Sequence, residues 1–184
     1  MKQKVLELSF SSWESFISRQ KPLTSEWLNN AKEDKFKECV SDSTGLNLSN
    51  LKFITAVLVF IKIFKRELKD EKNIGILLPS SSIAAIVNMA LLAMGKVSVN
   101  LNYTLNETSL NHALRKANIN TVITSSKFLE KLALKGFNLK DAMSGKAKFA
   151  EDLSASVSKK EKFLALLTAF FAPTWLIKLC YFKH

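Results

Sequence analysis

"GILLPSSSIAAIVNMALLAMGKVSVNLNYT", Gly75 to Thr104, decides how this chain is read. It runs apolar strand, proline and serines, apolar helix, glycine, second strand. The strand "NIGILL" (Asn73–Leu78) is almost wholly apolar, which suits a strand covered on both faces. Pro79 and the serines stop it. Ser81 or Ser82 caps a helix that continues through Ala93, and Gly95 supplies the left-handed residue that closes it. "KVSVNLN" is rich in β-branched residues and gives the second strand. A strand-to-helix turn of this kind can hold a phosphate, but only if glycines let the backbone approach the anion. "LLPSSSIA" has no glycine and its proline removes an amide donor, so Ser81 and Ser82 are expected to be helix caps.

Working outward, "TLNETSLNHALRKAN" is a helix ending on Arg115 and Lys116, whose charges suit a helix C-terminus, and "NTVITS" is a third strand. The order βαβαβ predicts a parallel sheet with helices on its faces. Upstream, Ser49 caps a helix from Asn50 to Leu68. Its Leu51, Ile54, Val57, Leu58 and Ile61 recur at three and four and share one face. "DSTG" (Asp42–Gly45) is a turn and "LNLS" a short extended piece. The first forty residues are expected to be helical, with Trp13, Phe16 and Trp27 among polar residues. Pro22 ends one helix, and Thr24-Ser25-Glu26 starts and caps another. Beyond Ser126, "KFLEKLALKG" is a short helix closed by Gly136, "NLKDAMSGKAKFAEDLS" is turns around one weak strand, and "SKKEKFLALLTAFF" is a helix up to Pro173. The expected organisation is a helical lead-in (1–40), an α/β subdomain built on the βαβαβ unit (41–126) and an amphipathic helical segment (127–184).

The net charge is +11. Lysine supplies nearly all of it, with Arg19, Arg66 and Arg115 the arginines. Nucleic-acid recognition leans on arginine forks and on a concentrated stripe of charge, and these lysines are scattered, so a solvated surface is expected and a nucleic-acid partner is not. Cys39 and Cys180 have no CxxC spacing and are expected to be reduced and buried. Met1 to Ser12 lacks the continuous apolar core of a secretory signal. "LKFITAVLVFIKIF" (Leu51–Phe64) is too short to span a bilayer, which takes about 20 apolar residues, and suits a core helix. "FLALLTAFFAPTWLIKLCYF" (Phe163–Phe182) is broken by Pro173 and charged at Lys178, which suits an interfacial or partner-facing segment.

Chemistry-bearing constellations are sparse. "SGK" at Ser144–Lys146 and "GKVS" at Gly95 miss the phosphate-loop spacing, and "TSSK" at Thr124–Lys127 is another cap. His112 lies on a helix among polar residues and His184 is the last residue, with no nucleophile or ligand set beside either. Glu33-Asp34, Asp70-Glu71 and Glu151-Asp152 sit in charged stretches and are expected to be solvated turns. No catalytic, cofactor-binding or metal-ligating residue is assigned.

Three segments together resemble the first part of the adenylate-forming superfamily of acyl and aminoacyl ligases. They are "DSTGLNLSNLKFITAVLVFIKIFKREL", the quoted unit, and "LNHALRKANINTVITSSKFLEKL". Asp42, Gly45, Leu48 and Leu51 match the acidic residue, turn and leucine-centred helix start of that pattern. Leu78, Pro79 and Ser80 match its Leu-Pro-polar strand end, and Gly95 and Asn102 its helix-closing glycine and its Asn/Pro turn. "GKVSVNLNYT", "VITSSKFLEKL" and "AEDLSASVSKKEKFLALLTAFFAP" look more closely like the bacterial acyl-[acyl-carrier-protein] synthetase modules fused to 2-acylglycerophosphoethanolamine acyltransferases, with Leu101–Thr104 the most specific part. The resemblance covers roughly residues 22 to 182.

The resemblance implies a partial N-terminal domain of the adenylate-forming fold, from a ligase that joins a fatty acid to acyl carrier protein through an acyl-adenylate. It implies ATP and Mg²⁺ for the complete enzyme, a link to lysophospholipid reacylation, and a cytoplasmic place at the inner face of the membrane. In the family the Thr/Ser/Gly-rich phosphate loop, the acidic Mg²⁺ residue, the ribose-binding Asp and the C-terminal lysine all come later in the chain. No residue here inherits those roles, so the expectation is a truncated piece, inactive alone, whose partner is the remaining ligase domain. The rival expectation is a membrane-surface or partner-binding module that uses the lysines and residues 163–182.

Overall fold

The computed structural model describes residues 2–18, 21–43, 45–68, 70–137, 139 and 142–183. Pro22 separates two helices, α1 (Lys2–Ser18) and α2 (Leu23–Glu33). Contrary to the expected hydroxyl cap, Pro22 itself stands at the cap of α2, and its carbonyl accepts the Ser25 and Glu26 amides. Proline's preset φ suits that place, and Thr24 and Ser25 are buried within the first turn instead. The helical lead-in also ends early. Glu38–Ser41 forms a strand, β1, paired antiparallel with β2 (Asn47–Ser49) across the turn that Gly45 closes at φ 82°.

Ser49 caps α3 (Asn50–Glu67) by accepting the Lys52 amide at 3.5 Å, as the sequence predicts. The single apolar stripe is too narrow a description of this helix. Phe53, Val59, Phe60, Ile63 and Phe64 are buried along with Ile54, Val57, Leu58 and Ile61, while Leu51 is only half-buried. A helix apolar around most of its circumference has to be covered on more than one side.

The sheet follows. β3 (Asn73–Leu77), α4 (Ser82–Ala93), β4 (Val97–Asn100), α5 (Glu107–Lys116), β5 (Val122–Thr124) and α6 (Ser126–Leu134) reproduce the expected βαβαβ order. β6 (Ala147–Phe149) adds a fourth strand, and the order across the sheet is β4-β3-β5-β6, all parallel. Gly75 sits opposite Val99 on one side and Val122 on the other. Side chains alternate between two cores. Ile74, Ile76 and Ile123 face α3 and α4, whereas Leu77 and Val122 face Leu110 and Leu114 of α5 and Leu129 and Leu132 of α6.

After β6 the sequence predicts turns, but Ala150–Ala155 forms a short helix, α7; Asn138, Lys140 and Asp141 of that stretch lie outside the described residues. α8 (Lys159–Phe171) has a complete capping box from Ser158 and Glu161, and Pro173 separates it from α9 (Thr174–Tyr181). α8 packs on α3 with Ala165 and Ala169 fully buried, and α4 packs on α3 as well. Among the described residues no helix is long and apolar enough to cross a membrane.

Two substitutions test this core. Leu58→Ala removes a side chain 1% exposed and is expected to cost about 3 kcal/mol in urea denaturation. At Gly75 an added Cβ would lie 3.0 Å from both Leu101 Cδ1 and Val122 Cγ2, so Gly75→Ala is expected to cost about 1–3 kcal/mol in the same measurement.

Candidate functional site

In an open parallel sheet, ligands bind beyond the C-terminal ends of the strands, where successive connections part in opposite directions. Here the connection leaving β3 leads to β4 and the one leaving β5 leads to β6, on the opposite side, so the parting lies above β3 and β5. Four sequence features meet along this rim: the serine cluster after β3, "LNYT" after β4, "TSSK" after β5 and the Glu151-Asp152 pair after β6.

Each is committed to the fold itself. Ser81 caps α4 by accepting the Ala84 amide at 3.4 Å, and the Ser82 amide at the start of α4 donates to Asp42 Oδ2 at 2.8 Å. Asp42 thus sits where an anionic ligand would have to sit at that helix N-terminus. Ser125 caps α6 through the Phe128 amide, and the Ser125 hydroxyl donates to Glu151 Oε1 at 2.6 Å, with Ser126 at 3.4 Å. Burial acts to raise the Glu151 pKa, and hydrogen bonds from Ser125, Ser126 and its own backbone outweigh it, holding the carboxyl below the usual range. Glu151 and Asp152 are exposed as expected, but they lie on α7 and not in a turn, and Glu151 ties α7 to the start of α6. Between the strands, the buried Thr124 hydroxyl donates to the Leu77 carbonyl at 2.8 Å. In "LNYT", Leu101 N–H extends the ladder to Ile76 O. Asn102 Oδ1 accepts both the amide and the hydroxyl of Thr104 at 2.9 and 2.8 Å, and Tyr103 meets Phe128 edge-on.

Two helix N-termini above the sheet are thus closed by carboxylates, and no glycine lines either one. These residues do not fit the phosphates of a nucleotide. Serine caps were legible in the sequence; the two carboxylates that close them were not, because each comes from a segment at least 25 residues away.

The remaining expectations divide. His112 is exposed, as expected, while His184 lies outside the described residues. Ser144–Lys146 is a turn with Gly145 at φ 70°. Cys39 and Cys180 are free, but both are exposed and not buried as expected. Glu33 and Asp34 are exposed. Glu71 departs from the solvated-turn reading: Oε1 accepts the Thr121 hydroxyl at 2.7 Å and Oε2 is buried with no partner among the described residues. Several lysines also do more than solvate the surface. Lys32 Nζ donates to the carbonyls of Ala169, Phe170 and Ala172, closing the C-terminus of α8, and burial followed by the Lys35 charge lowers its pKa. Lys96 Nζ donates to the carbonyls of Leu68 and Glu71, and Lys65 Nζ to that of Cys180. Among the described residues no group of His, Cys, Asp and Glu stands where it could hold a metal ion.

No family model matches the sequence. Solved structures do match the fold. The chain superposes on VinN with a TM-score of 0.64 at 16% identity, covering 84% of this chain and 37% of VinN. A benzoate CoA ligase from Burkholderia xenovorans LB400 gives 0.61 at 16% identity, over 76% of this chain and 29% of that one. A fatty acyl CoA synthetase from Mycobacterium tuberculosis gives 0.59 at 14% identity, over 72% and 27%. The chain shares the fold of a part of each of these structures. The chain spans less than two fifths of the length of these three neighbours.

Neighbouring serines give the sharpest test of the rim. Ser81→Ala removes a cap and is expected to cost about 1 kcal/mol. Ser82 Oγ is fully buried with no partner among the described residues, so Ser82→Ala is expected to leave stability unchanged or raise it by about 1 kcal/mol. The two are compared by thermal denaturation.

Acid dependence has a defined sign. Glu151, with Glu67 beside Lys148 and Glu161 in its capping box, holds a pKa below its usual value in the fold. Such groups stabilise above the unfolded value, near ~4.3 for glutamate, and lose that contribution as pH falls through the folded one. Urea midpoints are expected to fall below about pH 5, and Glu151→Gln to flatten part of that fall.

Proposed function

We propose that this chain serves as the first part of an ATP-dependent ligase module that activates a fatty acid as its adenylate and passes it to acyl carrier protein. The observation that carries the reading is the shared fold. A four-stranded parallel sheet with its flanking helices superposes on VinN, a benzoate CoA ligase and a fatty acyl CoA synthetase over 72–84% of this chain while matching only 27–37% of each of them. The choice of a fatty acid and acyl carrier protein rests on the resemblance of "GKVSVNLNYT" and "VITSSKFLEKL" to acyl-carrier-protein synthetase modules. Lysophospholipid reacylation, at the inner face of the cell membrane, is the proposed setting.

On this reading the chain's contribution is mechanical. Strand tops closed by Asp42 and Glu151 leave phosphate binding to the remainder of the ligase domain, for which α3, α4 and the sheet form the supporting wall. ATP and Mg²⁺ would be held by that remainder, where the positive charge of Mg²⁺ would stabilise the leaving pyrophosphate.

The test compares two proteins. The 184-residue chain alone is expected to show no fatty-acid-dependent ATP–pyrophosphate exchange. The chain joined to the polypeptide encoded directly after it is expected to show it. Exchange by the chain alone would overturn the supporting role, and exchange with amino acids but not with fatty acids would overturn the substrate assignment.

A further inference from the structure

α8 turns its small residues inward and its large ones outward, and α9, which buries Ile177, leaves Trp175 and Leu179 outside. Ala165 and Ala169 are fully buried against the core, yet Phe163 is 59% exposed, Phe171 73%, Trp175 64% and Leu179 75%; Leu164, Leu166 and Leu167 are exposed too. A surface helix of a monomeric protein normally buries its large apolar stripe. Sequence spacing alone does not give this inversion, because both faces of α8 are apolar and only the packing on α3 decides which one is covered.

Charge around the outward face is one-sided. Lys159, Lys160 and Lys162 are exposed at the start of α8, Lys183 is exposed just after α9, and the chain contains no Asp or Glu after Glu161. Glu161 is itself engaged, by its capping box and by Arg66 at 3.3 Å. The occupant of this face must therefore accept large apolar side chains and carry negative charge. An anionic bilayer surface provides both: headgroup charge for the lysines, an acyl boundary for phenylalanine and leucine, and the polar–apolar interface that tryptophan favours. The proline break keeps both helices too short to span, and helices lying in the interface need no more length.

We propose that the outward face of α8 and α9 docks the chain onto an anionic membrane surface, with Phe163, Phe171, Trp175 and Leu179 entering the acyl boundary and the lysines meeting the headgroups. The face is held in position from behind. Lys32 closes the end of α8, Lys65 donates to the Cys180 carbonyl near the end of α9, and Lys178 Nζ donates to Asn29 Oδ1 of α2 at 2.9 Å. On the ligase reading more of the domain packs against this chain, so the proposal requires that the joined protein float as the chain does and fails if it does not.

Flotation of the whole chain with vesicles tests it. The chain is expected to float with phosphatidylglycerol–phosphatidylcholine vesicles, less so at high salt, and not with phosphatidylcholine alone. Phe171→Ser with Trp175→Ser, at exposed positions where circular dichroism should stay unchanged, is expected to weaken binding by about tenfold or more. Phe10→Ser with Trp13→Ser on the equally exposed α1 is expected to leave binding intact. Absence of flotation, equal flotation on neutral vesicles, or binding that depends on the α1 pair and not on Phe171 and Trp175 would each overturn the proposal. So would a dimer in light scattering that Phe171→Ser with Trp175→Ser converts to monomer, because the face would then belong to a second copy.

Discussion

Burial of α3 around most of its circumference is the constraint on which the rest of this architecture depends. Phe53, Ile54, Val57, Leu58, Phe60, Ile61, Ile63 and Phe64 point in too many directions for one partner to cover. α4 covers one side, α8 another, and α2 adds a smaller contact. Each of these Leu, Ile and Phe side chains gains roughly 1.5–3 kcal/mol from leaving water, so the helix brings together elements far apart in sequence before any polar contact is counted. α4 is the covering helix that also belongs to the βαβ unit, and through it the same burial positions the sheet.

With α3 and α4 in place, polar groups have little freedom. α4 begins beside the β1–β2 ribbon, and there Asp42 takes its N-terminus. α6 begins beside α7, and there Glu151 takes its hydroxyls. At the other polarity, Lys32 supplies protons to three carbonyls at the end of α8, 137 to 140 residues away in sequence. Helix ends leave amides or carbonyls unpaired, and here side chains from neighbouring elements complete them, carboxylates at N-termini and ammonium groups at C-termini. A rim finished in this way has its helix-start donors already paired within the chain, which suits the supporting role proposed for it and does not suit a phosphate cradle.

Local signals in the sequence were legible wherever one short stretch determined its own shape. Gly95 at φ 66°, the Ser49, Ser81 and Ser125 caps, and the apolar run of β3 were readable because spacing and turn chemistry act within a few residues. Features that depend on a distant partner were not. β1 is strand only because β2 pairs with it, since "ECVS" carries no strong pattern of its own. Glu71 looked like a surface acid until Thr121 and the loop around Lys96 closed over it. Cys39 was expected inside because free cysteine is usually buried, and it lies instead on a ribbon whose residues are mostly exposed. The family resemblance picked out Asp42 as an acidic landmark without a reason; its hydrogen bond to the Ser82 amide supplies one.

The two faces of α8 follow from the same constraint. α3 already presents phenylalanines and isoleucines to its neighbours, so a helix lying against it does best with small residues that let the two backbones approach. Ala165 and Ala169 meet that need. Nothing in the packing on α3 then requires Phe163 or Phe171, and leaving such side chains in water forfeits the transfer energy that burial of a phenylalanine returns. Their presence on the far face, continued by Trp175 and Leu179 across the Pro173 break and bordered by lysines among which the one acid, Glu161, is engaged in its capping box, is an arrangement that packing on α3 does not demand. A feature that packing does not need, repeated at helical spacing over two helices, points to an interaction outside the fold.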